Sequence, residues 1–104
     1  SAMIKENHIR VAGSIKAAVE QVRKGTQAHL TIEVTNLDEV RQAVEMNPQR
    51  LLLDNMDDSL IQQSLELIPD AIETEASGNM TIERVRVLSR IDGLDYVSVG
   101  ALTH

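Results

Sequence analysis

The sequence predicts an α/β protein: parallel βα repeats forming a partial (β/α) barrel of about five strands and four helices. Three observations carry this. Five short apolar runs each lead into small or charged polar residues: Met3-Ile4 into Lys5, Leu30-Thr31-Ile32 into Glu33, Leu51-Leu52-Leu53 into Asp54, Ala71-Ile72 through Glu73-Thr74-Glu75 into Ser77-Gly78, and Tyr96-Val97-Ser98-Val99 into Gly100. Stretches with helical periodicity separate them. The resulting order, β-α-β-α-β-α-β-α-β, implies right-handed parallel crossovers. Such crossovers bring the carboxyl ends of the strands to one face, where α/β folds bind ligands.

Each element has a local reason. After the first run, Arg10-Val11-Ala12-Gly13 makes a turn and Ser14 is placed to cap a helix. Ile15, Ala18, Val19 and Val22 then recur on one helical face, and Lys24-Gly25 ends the helix. The second strand spans about 29–34. Asn36, followed three residues later by Glu39, resembles a capping box ahead of the stripe Leu37, Val40, Ala43 and Val44. Asn47-Pro48 stops that helix. Leu51-Leu52-Leu53 suits a parallel strand covered on both faces. Asp57-Asp58-Ser59 starts a helix where its dipole favours acids, with Ile61, Leu65 and Ile68 as its buried stripe and Pro69 at its end. The fourth strand is expected at about 71–76. Thr81 caps a helix with Ile82, Val85 and Leu88 inward, and Gly93 turns the chain into a last strand at 95–99.

Composition bounds the function. The 104 residues make one domain, 1–104, far short of the ~250 typical of a complete eight-unit barrel. Hydrophobic residues at 42% and charged residues at 25% describe a soluble globular chain. Tyr96 is the one aromatic residue, so the core is aliphatic. A net charge of −6 argues against nonspecific nucleic-acid binding. The absence of cysteine excludes disulfides and thiolate metal sites. No apolar run approaches a membrane span, and no signal peptide opens the chain, so a cytoplasmic protein is expected. The chain stops directly after a strand, with no covering helix. Uncovered strands are a liability, so it reads as part of a larger protein or as a homo-oligomer.

The strand ends carry the chemistry. Lys5 suits a substrate phosphate or carboxylate; taken alone it reads better as a surface lysine at a strand end. His8 is a candidate for acid–base work, though a loop histidine is more often structural. Glu33 and Asp54 each follow buried positions, where a carboxylate needs a partner or a metal. They suit Mg²⁺ carrying substrate phosphates, or ordinary ion pairs with Lys5 or Arg50; spacing leaves both open. Ser77-Gly78-Asn79 and Gly100-Ala101 place glycine-containing turns on the last two strands, where barrels often bind phosphate. They also read as simple turns. Arg10, Arg23, Lys24, Arg41, Arg50, Arg84, Arg86 and Arg90 are expected mostly on helices or turns away from the strand-end face.

Ile4-Lys5-Glu6-Asn7-His8-Ile9, Gly13-Ser14-Ile15, Ile32-Glu33-Val34, Leu52-Leu53-Asp54-Asn55-Met56, Glu75-Ala76-Ser77-Gly78-Asn79 and Asp95-Tyr96-Val97-Ser98-Val99-Gly100-Ala101-Leu102-Thr103-His104 occur in this order. The set resembles the carboxy-terminal barrel portion of the quinolinate phosphoribosyltransferases. That family joins quinolinate to phosphoribosyl pyrophosphate, releasing pyrophosphate and CO₂ and forming nicotinate mononucleotide in NAD biosynthesis. The resemblance implies that Lys5 contacts substrate phosphate or carboxylate. It implies that Glu33 and Asp54 face the ribose hydroxyls and Mg²⁺–pyrophosphate, and that Ser77, Gly78, Asn79, Gly100 and Ala101 cradle the 5′-phosphate. His8 and Asn55 are further candidates.

The family's proteins are considerably longer. Their arginines and histidine–arginine pair that hold quinolinate's carboxylates have no counterpart here, and Thr31 stands where a glutamate is usual. The expectation is therefore a phosphoribosyl-phosphate half-site without its quinolinate half, inactive in isolation. The alternative is a non-enzymatic, self-associating phosphate-binding fragment. A phosphoribosyltransferase acting on nicotinate itself is a third reading, disfavoured by the intact Ile4-Lys5-Glu6-Asn7-His8.

Overall fold

A computed structural model describes residues 2–5, 10, 13–25, 29–98 and 102–103. The strands are β1 (Ala2–Ile4), β2 (Leu30–Val34), β3 (Arg50–Asp54), β4 (Glu73–Ser77), β5 (Met80–Thr81), β6 (Tyr96–Val97) and β7 (Leu102–Thr103). The helices are α1 (Ile15–Gly25), α2 (Leu37–Glu45), α3 (Asp58–Leu67) and α4 (Ile82–Leu88).

Five strands form one parallel sheet in the order β1-β2-β3-β4-β6. Each joins the sheet beside its predecessor, the winding of a barrel wall and not of a doubly wound sheet, which reverses at a switch point. The expected alternation is therefore present. A separate parallel pair, β5 with β7, was not anticipated: Met80 pairs with Leu102 and Thr81 with Thr103. Two residues are too few to show a periodic pattern in sequence.

Register sorts the side chains. Ile4, Ile32 and Leu51 come level across the sheet, as do Val34, Leu53, Ala76 and Val97. This face packs against Ile15, Ala18 and Val19 of α1, Val40 and Ala43 of α2, Ile61 of α3 and Leu88 of α4. Most of these residues are fully buried, so the burial of apolar area that drives folding is concentrated between the sheet and its helices. On the opposite face Met3, Thr31, Arg50 and Glu73 share one row, and Glu33, Leu52, Glu75 and Tyr96 the next. Asp54 and Ser77 follow at the carboxyl end.

Side chains alternate along a strand, so β4 sends Glu73, Glu75 and Ser77 to the polar face while Thr74 and Ala76 face the helices. Leu52 lies on the polar face and is still buried, which fits the covering expected for Leu51-Leu52-Leu53.

The caps form largely as anticipated. Ser14 Oγ accepts from Ala17 N–H, Asp57 Oδ1 from Leu60 N–H and Thr81 Oγ1 from Arg84 N–H. Asn36 Oδ1 accepts from Glu39 N–H, but the Glu39 carboxylate turns back to Thr35, accepting from its N–H and Oγ1 at 2.7 Å. This is a capping box displaced by one residue. Asn47, with φ 51, provides the left-handed residue that ends α2.

Two expectations need correction. The fourth strand runs 73–77 and not 71–76, because Ile72 N–H bonds Pro69 C=O and holds the chain in a turn to that point. Ile82 is 42% exposed and does not face inward; Leu88 is the buried residue of α4, with Val85 half-buried. A seven-residue helix makes barely two turns, and of these it buries only its last residue, Leu88.

Candidate functional site at the strand carboxyl ends

β3 and β4 end together. Asp54 is level with Ser77, and both point to the polar face. Ser77 Oγ donates to Asp54 Oδ1 at 3.0 Å, and Asn55 N–H donates to Ser77 C=O at 2.9 Å. Asn55 is left-handed, with φ 54, a conformation that asparagine tolerates better than most residues. Gly78 follows Ser77 with φ +127, which strains any side chain. A Cβ built there would meet Asn55 Cα at 3.2 Å and Asn55 N at 3.3 Å. The glycine is therefore needed for the close approach of the two strand-end loops. Asn79, one residue on, is exposed.

Glu33 stands on the same face of the neighbouring strand, level with Leu52, one side-chain step before Asp54. It is half-buried. The register that pairs Ile4 with Ile32 brings exposed Lys5 level with Glu33. Lys5, Glu33, Asp54, Ser77 and Gly78 thus gather at one end of one face, with Asn55 and Asn79 at its rim. His8, Gly100 and Ala101 lie outside the described residues. Among the described residues, no group of three His, Cys, Asp or Glu side chains converges as a metal cage. Two carboxylates one step apart fit Mg²⁺ that arrives with substrate phosphates, since Mg²⁺ keeps several waters and takes one or two carboxylates.

Arg50 lies on the polar face of a strand, at the amino end of β3 and two side-chain steps before Asp54. Its Nη1 donates to Glu75 Oε1 at 2.8 Å, and its Nη2 is 3.5 Å from Glu73 Oε1. The guanidinium lies 4.2 Å from the Tyr96 ring centre, a cation–π contact. Tyr96 Oη donates to Glu73 at 2.9 Å, and Ser98 Oγ donates to Glu75. The ion pairs that Arg50 forms are with Glu73 and Glu75 of β4, not with Glu33 or Asp54. Partial burial works against the Arg50 charge, but Glu75 and Glu73 outweigh it and raise its pKa. The hydrogen bond to Glu73, then its charge, raises the Tyr96 phenol above its ordinary value. The signal for this network was the period-two spacing of Glu73, Glu75 and Ser77, hidden beneath the apolar run used to locate the strand.

A groove of about 660 Å³ opens beside α3, lined by Gln62, Leu65, Val87 and Arg90 among others. It lies on the helical side, away from Asp54 and Ser77, and gathers no comparable set of groups.

A parallel sheet wound in sequence, with carboxylates and a glycine turn at its carboxyl edge, defines a protein of the α/β-barrel class. Residues 1–104 match the family described as quinolinate phosphoribosyl transferase, C-terminal domain. A quinolinate phosphoribosyltransferase of Nicotiana glauca is 36% identical over 122 aligned residues, covering 98% of this chain and 34% of the relative. A probable nicotinate-nucleotide pyrophosphorylase of Synechocystis is 38% identical, covering 95% of this chain and 35% of the relative. The nicotinate-nucleotide pyrophosphorylase structure from Francisella tularensis superposes with a TM-score of 0.87 at 35% identity, covering 96% of this chain and 36% of that one. The chain belongs to the quinolinate phosphoribosyltransferase family. It spans about a third of the length of these relatives.

Proposed function

We propose that the chain carries the phosphoribosyl-pyrophosphate half of a quinolinate phosphoribosyltransferase site. The observation that carries this is the gathering of Glu33, Asp54, Ser77 and Gly78 at the carboxyl end of one sheet face. On this reading Glu33 and Asp54 face the ribose hydroxyls and a Mg²⁺ delivered with the pyrophosphate. Ser77, Gly78, Asn79, Gly100 and Ala101 cradle the 5′-phosphate, with the backbone N–H groups of Gly78 and Asn79 following the last ladder pair of β4. Lys5 meets a phosphate or carboxylate. Pyrophosphate leaves through an oxocarbenium-like state, the pyridine nitrogen attacks the ribose carbon, and CO₂ departs from the ring. The chain's own contribution is positioning and fixed charge. Arg50 does not supply a quinolinate site, because Glu73 and Glu75 already occupy its guanidinium.

The reading includes a cytoplasmic homo-oligomer. No helix among the described residues is long and apolar enough to cross a membrane. The second reading, a self-associating phosphate-binding fragment, is favoured by Met3 and Tyr96, which stand 41% and 45% exposed on the outer strands β1 and β6.

Calorimetry with Mg²⁺–phosphoribosyl pyrophosphate, and an assay of nicotinate mononucleotide formation from it and quinolinate, test the proposal on protein of known mass by light scattering. Binding without turnover is expected. Turnover would place a quinolinate half-site within the assembly, and absence of binding would overturn the reading. Oligomers that bind inorganic phosphate but not the pyrophosphate would favour the second.

A further inference from the structure

We propose that Ser77 is a positioning residue for Asp54, its hydroxyl acting through that carboxylate and not as a ligand to substrate phosphate. The inference rests on the strand-end site above and assigns its serine a different partner.

A serine hydroxyl carries one proton and two acceptor lone pairs. That proton is committed to Asp54 Oδ1 at 3.0 Å. A phosphate monoester near neutral pH presents mainly acceptors, so Ser77 could serve it only by releasing Asp54. The backbone favours the pair. Asp54 and Ser77 are level in the sheet, and Asn55 N–H holds Ser77 C=O at 2.9 Å immediately beyond. The ladder that ends both strands thus keeps the carboxylate and the hydroxyl side by side.

Gly78 points the same way. The space that a side chain would fill at 78 is taken by Asn55, whose Cα, N and Oδ1 all lie 3.2–3.3 Å from the Cβ position. At this point the missing side chain admits the β3 loop, not a ligand. Ser77 and Gly78 therefore brace Asp54 and Asn55 from below. Phosphate contact at this turn falls to backbone N–H groups and to exposed Asn79.

The test is a double-mutant cycle read by Mg²⁺–phosphoribosyl pyrophosphate binding, with Ser77→Ala, Asp54→Ala and the pair. If Ser77 acts through Asp54, Ser77→Ala weakens binding about tenfold in the parent. It then has no further effect once Asp54 is alanine. Ser77→Thr, which keeps the hydroxyl, restores affinity to within about threefold of the parent. Equal losses in both backgrounds would make Ser77 a direct ligand and overturn the proposal. Should the parent bind no pyrophosphate, the strand-end reading fails separately. The same cycle in thermal unfolding then decides this one, a coupling between the two sites supporting it and strict additivity overturning it.

Discussion

Gly78 and Asn55 set the geometry of the strand-end turn between them. Each adopts a positive φ, and each lies against the other. Gly78→Ala combines backbone strain with a contact of 3.2 Å to backbone that cannot yield as a flexible side chain would. Strain of this kind costs about 1–3 kcal/mol. The expected result is a fall of several degrees in Tm, measured by circular dichroism, with pyrophosphate affinity falling further than stability alone explains. Tyr96 offers a cleaner reading, because it is the chain's one tyrosine and there is no tryptophan. Its folded pKa is raised by the hydrogen bond to Glu73 and by that residue's charge. The stability it contributes is therefore present below the ordinary tyrosine pKa and is lost as pH rises through the raised folded value. Ultraviolet titration is expected to show a midpoint above the ordinary value, and Glu73→Gln is expected to lower it. An unchanged midpoint would remove Glu73 as the cause.

Within the five-stranded sheet, β6 is the least secured by its own backbone, with two residues paired to β4. Side chains make up the difference. Tyr96 bonds Glu73, Ser98 bonds Glu75, and Arg50 from β3 joins both glutamates while lying over the Tyr96 ring. The Arg50 side chain is 26% exposed, so its ion pairs fall between the weak surface case and the strong buried one. Arg50→Ala leaves two glutamates side by side and removes the cation from the ring. A loss of about 1–2 kcal/mol is expected in urea unfolding at low salt, shrinking as salt screens the glutamates. A loss that does not depend on salt would assign the effect to packing. The caps are simpler: α2, α3 and α4 each begin on a side chain whose oxygen accepts from the third residue on, which is why their starts agree with the sequence reading.

At the scale of the molecule, one sheet face is apolar and helix-covered, and the other carries the charges. Among the described residues, the polar face places Lys5 and Arg50 beside Glu33, Asp54, Glu73 and Glu75, an acidic surplus. A pyrophosphate group meets net repulsion there unless a cation travels with it. Phosphoribosyl pyrophosphate binding is therefore expected to fall at least about tenfold when Mg²⁺ is removed by chelation. Binding that is indifferent to Mg²⁺ would place the pyrophosphate elsewhere. The same surplus argues against two copies meeting polar face to polar face, so self-association would have to use the outer strands.

The sequence by itself determined the alternation of elements, the parallel class, the caps at Ser14, Asn36 and Thr81, the acidic start of α3, and the placing of Lys5, Glu33, Asp54 and Ser77 at strand ends. These depend on local periodicity, on short-range hydrogen bonds and on the position of each polar residue after an apolar run, all of which are written within a few residues of one another. Tertiary structure decided who meets whom. That Arg50 belongs to Glu73 and Glu75 and not to Asp54, that Ser77 gives its proton to Asp54, that Asn55 fills the space at Gly78, and that Met80 and Thr81 pair with Leu102 and Thr103 are matters of register between strands roughly twenty residues apart. Register is set by how the whole helix-covered face packs, because a slip of one residue would turn every side chain of a strand to the other face.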